Sequence, residues 1–460
     1  EDTLHQNGLI LLKQAPLPHA RPQQSADDLH VEAGERITWL NHGTHETVHT
    51  GYQYAMLTYS GGRFGRIEAL QRYQRQHRIF RPDDDIVFLS NTWGDRSQDG
   101  RIEESFLLQE IDACARLGVD VVQIDDGWQT GRTANSVDGN GVWNGFWAAN
   151  ASFWEANPTR LPHGLTPIVE RAKAHGINVG LWFAPDSSDD FANWRRDADT
   201  LLNLYRDHGI RYFKIDGVKA FTKMAEKHLH AFFDTVLTDS HGDVMFDLDV
   251  TAEVRPGYFG LLHTGPLFVE NRYTDWHRYW PHQTLRNLWQ LSQVVDPRRL
   301  RIEMLNNTRN QQLYTDDPLA PVTYRPAYLF ATTMFANPLG WFEASNLPDP
   351  YIEEVANLVG VWKQHRTAIF TGQMYPIGDV PDGTAWTGFA SVAPDKQSGY
   401  LLIFREVNEQ GTAVISLPML QGTYDCSILG GHGNATLADG ALNVSVPSEK
   451  DFAFIKFSIA

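Results

Sequence analysis

Lys214 and Asp216 stand two residues apart in the run Tyr212-Phe213-Lys214-Ile215-Asp216. On a strand, that spacing puts an ammonium and a carboxylate on one face. Such a pair serves either as a structural ion pair or as a cation that grips a ligand beside a carboxylate that reacts with it. A second focus is Ile124-Asp125-Asp126-Gly127-Trp128, where the paired acids could otherwise cap a following helix. Further acids follow other short apolar runs: Asp95, Asp186, Asp247, Asp249, Asp275, Glu303 and Glu343, with Arg272 close to Asp275. Bringing so many together is costly, because mutual repulsion raises their pKa values unless a ligand or cations relieve it. Two chemistries use a ring of carboxylates. A metal centre would want several histidines at the same positions, and only His277 comes near. Glycoside hydrolysis instead uses one carboxylate to attack and another to protonate the leaving oxygen. Remaining carboxylates then hold hydroxyls, and Trp93 and Trp182 offer rings for a sugar face. The residue types favour the second chemistry.

These residues need a frame that presents them together. Eight short apolar runs have no period-two alternation, as in strands buried on both faces. They are Ile86–Ser90, Val119–Ile124, Ile177–Phe183, Arg211–Ile215, Asp243–Val250, Leu267–Glu270, Leu300–Leu305 and Leu339–Phe342. Helical patterns lie between several of them. In Glu103–Leu117, the residues Phe106, Leu107, Ile111, Cys114 and Leu117 form one stripe, and Gly118 is a stop signal. Helix, glycine, then buried strand is the signature of βα units, and eight of them predict a (β/α)8 barrel over residues 84–370. An open doubly wound sheet is disfavoured because no glycine-rich phosphate turn follows the first strand. The acids named above then fall at C-terminal strand ends, where barrels place their chemistry. Residues 371–460 alternate in short segments separated by Gly, Asn and Asp, which predicts an antiparallel β-sandwich module. Residues 1–83 read as a partial β segment followed by a linker helix over Arg63–Gln76.

Composition narrows the partners. The 460 residues carry 56 acidic against 39 basic side chains, a formal charge of −17, which repels a nucleic-acid backbone. No apolar run approaches the roughly 18 residues of a membrane-spanning helix. The two cysteines, Cys114 and Cys426, exclude a disulfide scaffold and a Cys-rich zinc site. Fourteen Trp are generous, and Trp143, Trp147 and Trp154 crowd the long stretch after the second strand, as in a folded lid. The first residue is Glu rather than Met, so processing or loss of an upstream segment is expected, with export to a periplasmic or secreted location.

The motifs resemble those of the α-galactosidases of glycoside hydrolase family 36 and the related family 27. Val122-Gln123-Ile124-Asp125-Asp126-Gly127-Trp128 looks like the second-strand motif. Gly180-Leu181-Trp182-Phe183-Ala184-Pro185-Asp186 is similar to the third-strand Gly-Leu-Trp-x-x-Pro-Glu pattern, and Lys214-Ile215-Asp216 to the fourth-strand Lys-x-Asp. The resemblance covers residues 85–370 well and extends back to Gly8–Lys13, similar to the tail of the family's large N-terminal β domain. It implies Asp216 as nucleophile and Lys214 as a ligand of sugar hydroxyls. Asp125 and Asp126 would surround O4 and O6, and Trp93 and Trp182 would wall the pocket. In Asn271-Arg272-Tyr273-Thr274-Asp275 only the final Asp matches the family's acid/base pattern, so Asp275 takes that role and Arg272 is a departure.

The second departure lies after the fifth strand. The family's glycine-rich turn is replaced by Phe246-Asp247-Leu248-Asp249-Val250-Thr251. Asp247 and Asp249 would face one side of the strand and recognise a sugar substituent, or else pair with Arg255 or Arg272. The resemblance implies a retaining exo-acting α-glycoside hydrolase acting on a terminal, neutral sugar of an oligosaccharide or glycoside. No cofactor or metal is expected, and a homo-oligomer is consistent with the family. An α-N-acetylgalactosaminidase or a transglycosylase would use the same carboxylates, and a non-catalytic sugar-binding barrel is the competing class.

Overall fold

Apolar runs without alternation form strands only where both faces are covered, and the chain meets that demand by closing a barrel inside a ring of helices. The computed structural model describes residues 4–14, 29–32, 36–39, 53–95, 97–250, 258–270 and 277–460. Short strands β1 (Asn7–Lys13), β2 (Leu29–Glu32), β3 (Arg36–Trp39) and β4 (Tyr54–Ser60) come first, with β1 antiparallel to β4 and β2 to β3. The expected linker helix runs over Gly62–Arg75. Its Arg75 Nε lies 2.7 Å from Asp296 Oδ2, and its Gln74 Nε2 donates to the Val294 carbonyl at 2.9 Å, so the helix is docked rather than loose.

The barrel strands are β5 (Leu89–Asn91), β6 (Val121–Ile124), β7 (Asn178–Phe183), β8 (Tyr212–Ile215), β9 (Met245–Asp249), β10 (Leu267–Val269), β11 (Leu300–Met304) and β12 (Asn337–Gly340). They are parallel, follow one another in sequence order, and close where β12 pairs with β5. All eight expected runs are present, with ends displaced by up to three residues. The helix Glu104–Leu117 buries Phe106, Leu107, Ile111, Cys114 and Leu117, the stripe read from the sequence, and Gly118 ends it with φ 85°. That left-handed backbone suits glycine and few other residues.

Behind the barrel, the helix Asp349–Thr371 leads into β13 (Gln373–Gly378), β14 (Trp386–Val392), β15 (Ser398–Arg405), β16 (Thr412–Ser416), β17 (Thr423–Gly431), β18 (Asn434–Ala438), β19 (Ala441–Ser445) and β20 (Asp451–Ile459). They form one antiparallel sheet in the order β13-β14-β15-β20-β17-β18-β19-β16. Its end strands β13 and β16 approach each other around a shared core of Tyr375, Ile403, Ile415, Val444 and Ile455, giving a sandwich-like module. The alternation in the sequence predicts six strands here, over 385–392, 400–406, 412–417, 424–429, 442–446 and 452–457, and β13 and β18 have no counterpart among them. Pro376 sits inside β13, a residue that argues against a strand, and it is tolerated because β13 is at the edge and pairs only with β14. The small residues of β18 hide a hairpin, although Asp439-Gly440, both at positive φ, is a strong turn signal.

Inside the barrel, polar pairs replace part of the apolar filling. Arg301 of β11 directs Nε to Asp247 Oδ1 of β9 at 2.8 Å, with both side chains almost wholly enclosed. Breaking a buried pair strands the remaining charge. Arg301→Ala should therefore lower unfolding stability by about 3–5 kcal/mol in urea titration. Arg301→Ala combined with Asp247→Ala should lose less, because no orphan carboxylate remains.

Candidate active site

The parallel strands all point their C-terminal ends to one mouth, and side chains at alternate positions turn inward there. From β8, the Lys214 ammonium reaches across to Asp125 Oδ2 at 2.9 Å and stands 3.6 Å from Asp249 Oδ2. On another side it faces the rings of Phe268 and Trp341, at 4.6 and 5.1 Å from their centroids. These rings meet edge to face with centroids 5.2 Å apart. Burial works against the charge on Lys214, but the carboxylates of Asp125, Asp249 and Asp216 outweigh it and hold the ammonium above the usual lysine range. Asp125 is in turn fixed by Asn91, whose Nδ2 donates to Oδ2 at 2.7 Å and to Gln123 Oε1 at 2.8 Å. The Asp125 backbone N–H donates to Thr92 Oγ1 at 3.0 Å.

Asp216 follows β8 directly. Its Oδ2 accepts from Trp182 Nε1 at 3.1 Å, and its Oδ1 accepts from the Gly217 backbone N–H at 2.6 Å. Trp182 is buried on β7, and its carbonyl accepts from Trp128 Nε1 at 2.8 Å. The carboxylate therefore has a fixed orientation and an ammonium nearby.

The tryptophan-rich stretch divides its roles. Trp154 is core, its ring tilted against that of Phe183 with centroids 4.2 Å apart. Trp147 donates from Nε1 to Asp197 Oδ1 at 2.8 Å. Trp143 stays half-buried, 6.3 Å from Trp182, and a Cβ at Gly217 would stand 3.8 Å from its ring. The stretch is pinned at Gly145, whose N–H donates to Asp186 Oδ1 at 2.7 Å. Asp186 also accepts from Ser188 and Asn193, so its carboxylate serves the loops.

Of the residues singled out in the sequence, Asp125, Lys214, Asp216, Asp249 and Trp182 come together. Asp126 turns away from them into its own loop, accepting from Gln129 Nε2 at 2.7 Å and from the Thr133 hydroxyl. Trp93 is half-buried at the end of β5, with its N–H donating to Asn91 Oδ1 at 2.9 Å. Arg272 and Asp275 lie outside the described residues, as do Arg255 and Thr251. Asp247 takes Arg301 as partner, neither of the arginines expected for it, and so belongs to the barrel filling. Sequence reasoning missed Asn91, Phe268 and Trp341, which hold Asp125 or face Lys214. Aromatic or polar residues at the last positions of expected strands were the available signal.

A closed (β/α)8 barrel with an antiparallel module behind it is the fold of solved family 36 α-galactosidases. Residues 67–206 match the Melibiase family. The chain is 27% identical over 165 residues to an α-galactosidase of Escherichia coli, a match covering 35% of this chain and 21% of that one. It superposes with TM-score 0.68 on a family 36 α-galactosidase, AgaA from Geobacillus stearothermophilus, in complex with 1-deoxygalactonojirimycin, at 14% identity over 89% of this chain and 61% of that one. A complex of AgaA with raffinose gives 0.67 at 14% identity, with the same coverage of both chains. The chain is thus similar in sequence to α-galactosidases and in fold to family 36 structures, and it spans about three-fifths of the length of those solved structures.

Several acids around the mouth hold their protons unusually well. Burial pushes Asp126 up to about 7, with Asp125 and Asp99 adding to it and the Thr133 and Gln129 hydrogen bonds opposing. Burial likewise puts Glu110 and Asp197 at about 7 and Asp95 at about 6. In the folded chain these groups bind protons at pH values where unfolded carboxyls have lost them. Their contribution to stability is complete below about pH 4 and is lost as pH rises through about 6–7. Asp126→Asn should flatten the fall in urea stability between about pH 5 and pH 8, and an unchanged slope would refute the raised pKa.

Proposed function

We propose that the protein is a retaining exo-acting α-glycoside hydrolase of the α-galactosidase type, with residues 84–370 as its catalytic unit. The observation that carries this reading is the Asp216 carboxylate, held by the Trp182 indole and the Gly217 N–H beside the buried Lys214 ammonium. Asp216 attacks the anomeric carbon and forms a covalent glycosyl ester. Asp275 protonates the departing oxygen and then takes a proton from the water that releases the sugar. Lys214 and Asp125 bind hydroxyls of the terminal sugar, and Trp93 and Trp143 offer apolar surface for its faces, whereas Trp182, expected to wall the pocket, is buried and acts through its hydrogen bond to Asp216. The raffinose complex of AgaA supports an oligosaccharide with a terminal α-linked sugar as the substrate class. Asp249 stands where relatives have a glycine-rich turn. Its carboxylate accepts from a hydroxyl and repels an anionic sugar, so a neutral sugar is selected.

Asp216→Asn should reduce turnover of an activated aryl α-galactoside by about 10³-fold or more, and wild-type turnover would sink the assignment. A sugar-binding barrel without activity would show affinity and no turnover in the parent protein. Trp182→Phe keeps an aromatic ring, though a smaller one, and removes the N–H that donates to Asp216, so kcat/KM should fall about ten- to a hundredfold. A panel of aryl α-glycosides differing at C2, C4 and C6 reads the sugar. Preference within that panel should shift in Asp249→Ala, and an unchanged ranking would remove Asp249 from recognition.

A further inference from the structure

Away from the barrel mouth, a second group of side chains has the types and spacing for a different ligand. His230 and Asp234 are four residues apart on the helix Lys223–Asp239 and share one face of it. His263 approaches them from the connection that enters β10, at the N-terminal end of that strand and so opposite the mouth. Its Nε2 lies 3.0 Å from Asp234 Oδ1. The His230 and His263 rings stack with centroids 5.9 Å apart and planes 10° from parallel. One donor atom from each of the three residues lies within 4.8 Å of the other two. Asp234 is exposed and both imidazoles are half-buried, so a hydrated ion can reach them.

We propose that His230, Asp234 and His263 bind one divalent transition-metal ion, Zn²⁺ in preference to Mg²⁺ or Ca²⁺, stapling the helix to the connection before β10. Two imidazole nitrogens and a carboxylate oxygen are a donor set for zinc, nickel or copper, whereas magnesium and calcium want oxygen alone. Tetrahedral zinc with bonds of about 2.0–2.2 Å sets its donors about 3.3 Å apart. The Asp234–His263 contact is already near that spacing. The exposed Asp234 side chain is free to adjust, and water completes the fourth position. A metal here takes the place of the His263–Asp234 hydrogen bond. Burial and the neighbouring His263 hold His230 below the usual histidine range, in the neutral form that a metal takes. The site is independent of the reading of the barrel mouth.

The test is titration of the chelator-stripped full chain with Co²⁺, followed by displacement with Zn²⁺. One equivalent of Co²⁺ should bind with a visible d–d band, Zn²⁺ should abolish the band, and Zn²⁺ should raise Tm until one equivalent is reached. His230→Ala and His263→Ala should each weaken binding by at least about tenfold. Their metal-free Tm should match the parent, which separates a lost ligand from a lost fold. No saturable binding, or one equivalent retained at parental affinity by the double variant His230→Ala/His263→Ala, would overturn the proposal. In either case the His263–Asp234 contact is an ordinary surface ion pair.

Discussion

A buried ammonium is tolerable only where its surroundings repay the lost hydration, and the mouth of this barrel is arranged around that demand at Lys214. Three carboxylates supply the compensating charge, and two aromatic faces close the remaining side. Each carboxylate comes from a different strand end: Asp125 after β6, Asp216 after β8 and Asp249 at the end of β9. Lys214 therefore sets the spacing of acids that would otherwise repel one another. Removing it would leave three negative groups facing each other in a small space. The same arrangement leaves Asp216 near a positive charge.

A second set of acids does different work. Glu110 accepts the Ser345 N–H at 2.9 Å, Asp95 accepts the Glu343 N–H at 3.2 Å, and Asp197 accepts the Asp186 N–H at 2.9 Å. Asp126 and Asp186 likewise bind groups of their own loops. The irregular segments over the mouth contain more N–H donors than strand pairing can satisfy, and buried carboxyls accept from them. Acidic strand ends thus have two physical causes. Some face Lys214, and others hold the loops that shape the pocket. Residue type alone does not separate the two, because both put Asp or Glu just past an apolar run.

That ambiguity explains what was legible in the sequence. The barrel could be read because burial on both faces leaves an unbroken apolar run, and Gly118 and Gly209 mark where helices stop. The Lys214–Asp216 spacing fixed a shared face whatever the tertiary context. Asp247 could not be assigned, because its partner Arg301 lies 54 positions away on a strand that reads as plain core. Trp341 was hidden for the same reason: an aromatic ending an apolar run looks like filling. In the C-terminal module, Pro376 masked an edge strand and short residues masked β18, so the sheet was expected with fewer strands than it has.

The difference between Asp247 and Asp249 bears on the identity of the sugar. Two residues apart on β9, both turn inward, but they sit at different depths of the barrel. Asp247 is neutralised by a guanidinium and belongs to the filling that keeps the barrel closed. Asp249 is higher, its Oδ2 at 3.6 Å from Lys214, a looser contact than the 2.9 Å of Asp125. A carboxylate at that distance is held by charge without being committed to a close hydrogen bond with the ammonium. It can accept from a ligand hydroxyl while Lys214 keeps Asp125 as its near partner. Lys214-Ile215-Asp216 resembles the family's fourth-strand pattern, whereas the segment ending β9 does not. Under the proposed function, reaction type and sugar preference would be set by separate parts of one barrel mouth, and changes on β9 would alter the second while leaving Asp216 and Trp182 in place.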